Sequence, residues 1–289
     1  MSEILLVTCG ALPDGEPRGW LLVDALAQRG VTARWVAWDD PDVDWVAADL
    51  VAVRSTWDYD SRLPEFLAWA RRVEAEGATV LNGSRVFEWN TDKAYIRELD
   101  RAGVSVVPTV VVEGEEGLPA AIAEFGRAVV KPRTGAGGRG VVVFDLEEGG
   151  PEGIDESALQ IGPWLVQPLV ESIHTEGEWS VYVLDGKVVS AARKMPARGD
   201  IRVHEEYGGH TVVAEVTAGH GTLALAAVRA AEELLGCRLP YARVDQMRLP
   251  DGSLAVSELE LTEPGLYLDH LPGNAAVFAD MVVAQLPAS

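Results

Sequence analysis

"VVKPRTGAGGRGVVVFD" (Val129–Asp145) sets four glycines within six residues, between two apolar runs and beside Lys131, Arg133 and Arg139. The residues just after the glycines decide the fold. In a dinucleotide-binding fingerprint the turn leads from a strand into a helix, whose N-terminus faces pyrophosphate. Here the chain continues as "VVVFD", a β-branched run that reads as strand. A Walker-type loop fails as well, because no Gly-Lys-Ser/Thr comes next. The stretch is therefore a glycine-rich hairpin tip whose incoming strand carries Lys131. Successive N–H groups of such a tip reach phosphate oxygens without interference from a Cβ. Taken alone, it fits a mobile turn with a solvated lysine equally well.

Toward the amino terminus the alternation differs. "ILLVTCG" (Ile4–Gly10) is a continuous apolar run, as expected of a strand covered on both faces. "WLLVDALAQRG" (Trp20–Gly30) has helical spacing with Gly30 placed as its C-cap. "VTARWVAW" and "LVAVRSTWDY" read as strands, "RLPEFLAWARRVEAEG" as a helix and "TVLNG" as a further strand. That order predicts a small parallel α/β layer. "NTDKAYIRELDRAG" (Asn90–Gly103) predicts a short helix capped by Asn90 or Thr91. From Val129 to Met195 strands dominate, with connections too short for crossover helices, so antiparallel hairpins are expected. A long helix, "GTLALAAVRAAEELLG" (Gly221–Gly236), precedes a final hairpin.

That hairpin, "ARVDQMRLPDGSLAVSELELTEPG" (Ala242–Gly265), carries the second chemical signal. Arg243 and Asp245 are two apart on one strand, and Glu258 and Glu260 two apart on its partner, so each pair shares a face. Three carboxylates on one face repel unless a cation sits there, and Mg²⁺ takes such hard oxygen ligands together with phosphate oxygens and water. The bland alternative is a solvent-facing polar sheet.

Composition narrows the partners. A net charge of −21 repels nucleic acid and anionic membrane, so neither is expected. Cys9 and Cys237, the two cysteines, have no zinc or disulfide spacing and are expected to be buried and reduced. "MSEILLVTCGALP" is too short for a membrane span and has no basic n-region, which makes the cytoplasm the expected location.

Taken in order, these segments resemble the ATP-grasp superfamily over most of the chain. The resemblance implies an α/β fold of the α+β ATP-grasp kind, with residues 1–88 as a parallel substrate-binding layer and 89–110 as a connecting helix region. It makes 111–170 an antiparallel lid with the glycine-rich loop, and 171–289 a mixed-sheet domain with the metal site. "NTDKAYIREL" is similar to the helix bearing the family's first nucleotide lysine, here Lys93. "VVKP" supplies Lys131, and "TGAGGRG" the phosphate loop with Thr134, Gly137 and Gly138. "LVQPLVES" resembles the segment that meets adenine, through Gln167 and the backbone of Leu169 and Val170. "GEWSVYVLDG" offers Glu178 to the ribose hydroxyls. Asp245, Glu258 and Glu260 take the metal positions; many members have Asn at the last, so Glu260 departs from the pattern.

The activity implied is ATP- and Mg²⁺-dependent ligation of a small amino-acid-derived carboxylate. The carboxylate becomes an acyl phosphate that a nitrogen nucleophile attacks. Arg243, Lys131 and Arg193 are the expected catalytic cations. For substrate, Arg54, Ser55, Thr56 and Asp58 end a strand where α/β folds expose binding loops; a helix cap beside a core Trp57 reads as well. Arg202 and His210 lie in a segment expected to cover the cleft, and His270 beyond it is a further pocket candidate. "STWDY", "KMPARGDIRVHEEYGG" and "ELTEPGLYL" resemble the D-cycloserine ligase type. A nucleotide-binding regulatory module, a nicotinamide-dependent oxidoreductase and a glutathione-synthetase-like peptide ligase are the competing readings. Dimers are common among similar proteins, so a homodimer is an open expectation.

Overall fold

The computed structural model describes residues 2–147, 150–152 and 162–286. A three-stranded parallel sheet opens the chain: β1 (Glu3–Thr8), β2 (Thr32–Ala37) and β3 (Leu50–Ser55), in the order β2-β1-β3. β3 is buried at all six positions, and β1 from Ile4 to Thr8, because layers cover both faces. Helices α1 (Trp20–Ala27) and α2 (Leu63–Glu76) complete this layer. Trp38, Trp45 and Trp69 gather with Phe66 in its core, which accounts for part of the tryptophan content. Gly77, with φ +111°, ends α2 as its sequence predicts.

Several boundaries shift. α1 stops at Ala27, and Gly30 turns the chain two residues beyond the Gln28 cap, with φ +75°. "TVLNG" makes only one parallel bridge, Val51 to Val80. The helix expected over 90–103 is shorter, α4 (Tyr95–Arg101), and an unanticipated helix, α3 (Gly83–Asn90), precedes it. Asn90 is not a cap. Its buried side chain donates to the Leu259 carbonyl and accepts from the Leu261 N–H, while Asp92 caps the next turn at Ala94 N–H. The break between the two helices is where Lys93 sits.

The second sheet is antiparallel, in the order β4-β8-β5-β6-β7: β4 (Val110–Val112), β5 (Arg127–Pro132), β6 (Val142–Asp145), β7 (Gly150–Glu152) and β8 (Trp164–Pro168). Helix α5 (Leu118–Phe125) covers it. The third sheet, order β11-β10-β9-β12-β13, holds β9 (Glu178–Leu184), β10 (Lys187–Met195), β11 (His210–Ala214), β12 (Tyr241–Arg248) and β13 (Leu254–Glu260). Its ladders are antiparallel, and Val106 adds one parallel bridge to Val256. Helix α6 (Ala218–Leu235) covers one face of this sheet, and α7 (Gly273–Ala284) joins it to α1. Cys9 is buried as expected; Cys237 is exposed, because it comes directly after the Gly236 turn that ends α6.

Candidate active site

The three sheets enclose a cavity of about 490 Å³. At one end the chain leaving β8 brings Gln167, Leu169 and Val170 against Val107, Ile173 and Met247, a mostly apolar pocket with one amide. The Gln167 side-chain amide is fixed by donating to the Thr109 hydroxyl at 2.8 Å. The backbone divides its duties here: Leu169 N–H bonds the Arg127 carbonyl, and the Val170 carbonyl accepts from Ile173. Among the described residues neither the Leu169 carbonyl nor the Val170 N–H has a backbone partner; as the two halves of one trans peptide they point to opposite sides, so only one of them can meet the edge of a given ligand.

The glycine-rich loop links β5 to β6 and roofs the middle of the cavity. Gly137 and Gly138 line it in left-handed conformation (φ +63° and +68°), and a Cβ on Gly138 would lie 3.1 Å from the His204 ring. Below it, Lys93 donates to the Gly135 carbonyl at 2.7 Å and pairs with Glu258 at 2.8 Å. Burial pulls Lys93 down, but Glu258 more than compensates, so it stays charged. Lys131 lines the same space with no ion pair among the described residues, and its burial lowers its pKa. An anion beside it would oppose that shift. Thr134 lies in the loop but outside the cavity lining.

The carboxylate hairpin forms, and its register sets Arg243 opposite Glu260 and Asp245 opposite Glu258. Its members do different things. Glu258 and Glu260 line the cavity; Asp245 does not, being 2% exposed beneath it. Its two oxygens accept from Ser180, Lys194 and Arg243 at 2.7–2.9 Å. Despite burial, those cations hold Asp245 well below the usual carboxylate range. In this arrangement Asp245 anchors two cations, Lys194 and Arg243, directly beneath Glu258 and Glu260. Glu178 lines the cavity and takes Lys194 on one oxygen and the Ser257 hydroxyl on the other, each at 2.7 Å.

Glu258, Glu260 and Glu263 face the cavity together. Burial raises Glu260 to about 7, with Asp245 and Glu258 adding repulsion; burial raises Glu263 to about 8, with Glu260 adding to it. Lys93 keeps Glu258 at about 2 despite its burial. Crowded carboxylates with raised pKa values lack positive charge, which is what a hard divalent cation supplies. Glu258 and Glu260 thus fit Mg²⁺ as oxygen donors.

The amino-terminal layer forms the other end. Glu16 lines it, 3% exposed, accepting from Leu266 N–H at 2.7 Å and from Arg54 at 3.2 Å. Tyr59 bonds Glu263, and Trp57 packs on Gly265. Most of the anticipated substrate residues stand behind this wall. Arg54 is fully buried, donates to the Pro264 carbonyl and lies over the rings of Tyr241 and Phe278. Ser55 donates to Thr8, Thr56 is buried, and Asp58 accepts from the Trp38 indole. None of the four lines the cavity: Arg54 and Ser55 end β3 in the buried layer, Thr56 is buried, and Asp58 turns to the Trp38 indole, so that Trp57 is the residue of "RSTWD" that reaches the lining.

Strand alternation brings further corrections. Arg193 and Lys194 point to opposite faces of β10, and Lys194 is the inward one, so Arg193 does not face the cavity. His210 is exposed on the edge strand β11, while His204 lines the cavity. Burial lowers His204 to about 4 and keeps it neutral, with nearby Lys194 contributing. Arg202 lines the cavity, chelated by Asp200 and lying 3.7 Å over Tyr207. His270 lies outside the lining, beside Asp269 and Glu205 at the rim. Glu16 and Glu263 are absent from the sequence reading of the site, and Lys194 and His204 entered it only as members of the segment expected to cover the cleft; "LTEPG" did signal an acidic turn after β13.

Known proteins share this arrangement. The D-cycloserine synthetase DcsG N-terminal domain family matches residues 4–82, and the prokaryotic glutathione synthetase ATP-grasp domain family matches residues 93–232. The cycloserine biosynthesis protein DcsG of Streptomyces lavendulae is 31% identical over 280 residues, 92% of each chain. A glutathione synthetase of Neisseria meningitidis is 26% identical over 69% of this chain and 64% of its own. The crystal structure of D-cycloserine synthetase DcsG superposes with a TM-score of 0.85 at 28% identity, covering 98% of this chain and 99% of that one. A D-alanine–D-alanine ligase from Bacillus anthracis shares the fold at TM-score 0.69 and 16% identity, over 98% of this chain and 97% of its own. With 31% identity to a DcsG protein over 92% of each chain and an ATP-grasp domain matched over residues 93–232, the chain belongs to the ATP-grasp ligases, enzymes that form C–N bonds, of the DcsG type.

Proposed function

We propose that the protein uses ATP to activate a small amino-acid-like carboxylate as an acyl phosphate, which an amine or similar nitrogen then attacks. One observation carries this reading: a single cavity runs from the Gln167 pocket, past Lys93, Lys131 and Arg243, to the acidic wall at Glu16 and Glu263. Phosphoryl transfer needs positioning and charge neutralisation more than a protein nucleophile. The adenine would sit against the Gln167–Val170 segment, within reach of its backbone and of the Gln167 amide. Lys93, Lys131 and the glycine-loop N–H groups would hold phosphate oxygens, and Arg243 would face the transferring group and the oxyanion of the tetrahedral intermediate. Glu258 and Glu260 would hold Mg²⁺, which when bound supplies further neutralisation of phosphate charge.

At the opposite wall Glu16 suits a substrate ammonium. Arg54 and the Leu266 N–H fix the orientation of its carboxylate, yet each oxygen keeps an accepting lone pair. An amino acid with a free amino group would sit between Glu16 and Arg243. The likeness to DcsG, a cycloserine biosynthesis protein, supports a role in natural-product assembly, with the nitrogen belonging either to the same molecule as the carboxylate or to a second one.

The test is interception. The protein is incubated with ATP, Mg²⁺, hydroxylamine and pooled amino acids, and hydroxamates are sought by mass spectrometry. We expect one hydroxamate, lost in Lys131→Ala and in Glu258→Gln. Thermal protection by ATP with neither hydroxamate nor ADP from any pool would sink the acyl-phosphate reading and leave nucleotide binding.

A further inference from the structure

The loop between β5 and β6 has two charged side chains: Arg133 pairs with Asp92 and Glu113, and the other is Arg139, at the glycine tip on the cavity lining. It crosses to the amino-terminal layer, where its guanidinium donates twice to one Asp60 oxygen, at 2.9 and 2.5 Å, and once to the Trp57 carbonyl at 3.5 Å. Asp60 is a well-held partner. Its side chain is 14% exposed, and it lies in a short 3-10 turn, Tyr59–Ser61. Tyr59 is buried against Phe66, and Trp57 donates to the Glu263 carbonyl. The turn that receives Arg139 is thus continuous with the wall carrying Glu263 and Gly265. On its other side the loop rests on the 202–207 segment, where Gly138 approaches His204, Tyr207 and Arg202 too closely for a larger residue to fit without a shift.

We propose that Arg139 and Asp60 are positioning residues: they latch the glycine-rich loop shut against the amino-terminal layer, and this closure keeps water from the activated substrate. The latch itself rests on the geometry alone, while its effect on turnover rests on the acyl-phosphate reading above. With the loop open, water adds to the acyl carbonyl, the bond to the phosphate oxygen breaks and phosphate leaves. The carboxylate is regenerated with release of a proton. The sum is ATP and water giving ADP and phosphate, with no C–N bond formed. The loop must open to exchange nucleotide, and a partly exposed ion pair is of the right strength: such pairs shift an equilibrium by about threefold to fivefold, enough to bias closure without blocking release.

Two measurements separate the halves of the proposal. Trypsin cleaves after arginine, so the Arg139–Gly140 bond reports on the latch in the full-length protein without any ligand. Asp60→Asn should raise cleavage at that bond about threefold to fivefold, read by mass spectrometry, while other sites cut as before. Cleavage at the wild-type rate overturns the latch. For coupling, phosphate released is compared with hydroxamate formed in the interception assay. Arg139→Gln, on an exposed loop where folding is not at stake, and Asp60→Asn should each raise that ratio about threefold to fivefold. Exchanging the charges (Arg139→Asp with Asp60→Arg) should bring it back towards wild type, which a merely structural role would not do. An unchanged ratio despite faster cleavage overturns the water-excluding role. If wild-type protein turns over no carboxylate, that role falls with the ligase reading, and the cleavage result still decides the latch.

Discussion

At position 194 an ammonium group lies 2.7 Å from Glu178 and 2.9 Å from Asp245, with 2% of the side chain exposed. Burial disfavours that charge, but the two carboxylates more than reverse this and raise its pKa. Lys194→Met would leave both acids without their shared cation. Loss of one partner from a buried pair costs about 3–5 kcal/mol, so the midpoint of urea unfolding should fall sharply. A loss below about 1 kcal/mol would show that Arg243 alone balances Asp245. The same position shows where a single side chain stops being legible in sequence. In "SAARKM" two long cations stand side by side between small residues, and a period of two requires one inside and one outside. Only the register with β9 and β11 selects Lys194. Lys93, Lys131 and Glu258 were legible because glycine, Thr-Asp and alternating leucine contexts fix their direction locally.

Among elements, the β5–β6 hairpin depends most on its glycines. Gly140 has φ +71°, and a Cβ there would lie 2.7 Å from the Pro132 ring. Proline cannot yield as a flexible side chain does, so Gly140→Ala displaces the loop. An L-residue in that conformation costs about 1–2 kcal/mol, which predicts a rise of roughly tenfold in KM for ATP. The melting temperature should move little, because the loop lies outside the hydrophobic cores. A large loss of melting temperature with KM unchanged would make the glycine structural. The strands around this loop were readable because valine runs ended by glycine or proline have few alternatives. Elements built from small or mixed residues were not. α7, "GNAAVFADMVVA", buries Asn274, Ala275 and Ala279 at the start of a helix that no polar face outlines. α3 begins at an Asn-Gly pair that reads as the end of a strand, and its Asn82 adopts φ +62°. β11 is a short edge strand with Val213 60% exposed, so it shows no buried alternation.

Across the whole molecule acidic side chains outnumber basic ones by 45 to 24, and three of them, Glu258, Glu260 and Glu263, share one cavity wall. Folding brings these groups together in a partly dry space, and the consequence is a pH dependence with a definite sign. Glu260 and Glu263 start from 4.5 when unfolded and reach about 7 and about 8 when folded. Between those limits the native state holds protons that the unfolded chain has lost, so their stabilising contribution is full below 4.5 and disappears as pH rises through the folded values. His204 works the other way, at about 4 folded against 6.5 unfolded, but its contribution is complete once pH exceeds 6.5. From pH 6.5 to roughly 8.5 the two glutamates therefore dominate, and the ligand-free protein should melt at progressively lower temperature. Mg²⁺ binds the ionised carboxylates of the native state, so adding it should flatten the decline and stabilise most at the alkaline end. Glu260→Gln should flatten the decline without metal and weaken the response to it. A melting temperature that rises across this range, or a response to Mg²⁺ that is the same at both ends, would show that the carboxylate wall is neither crowded nor a cation site.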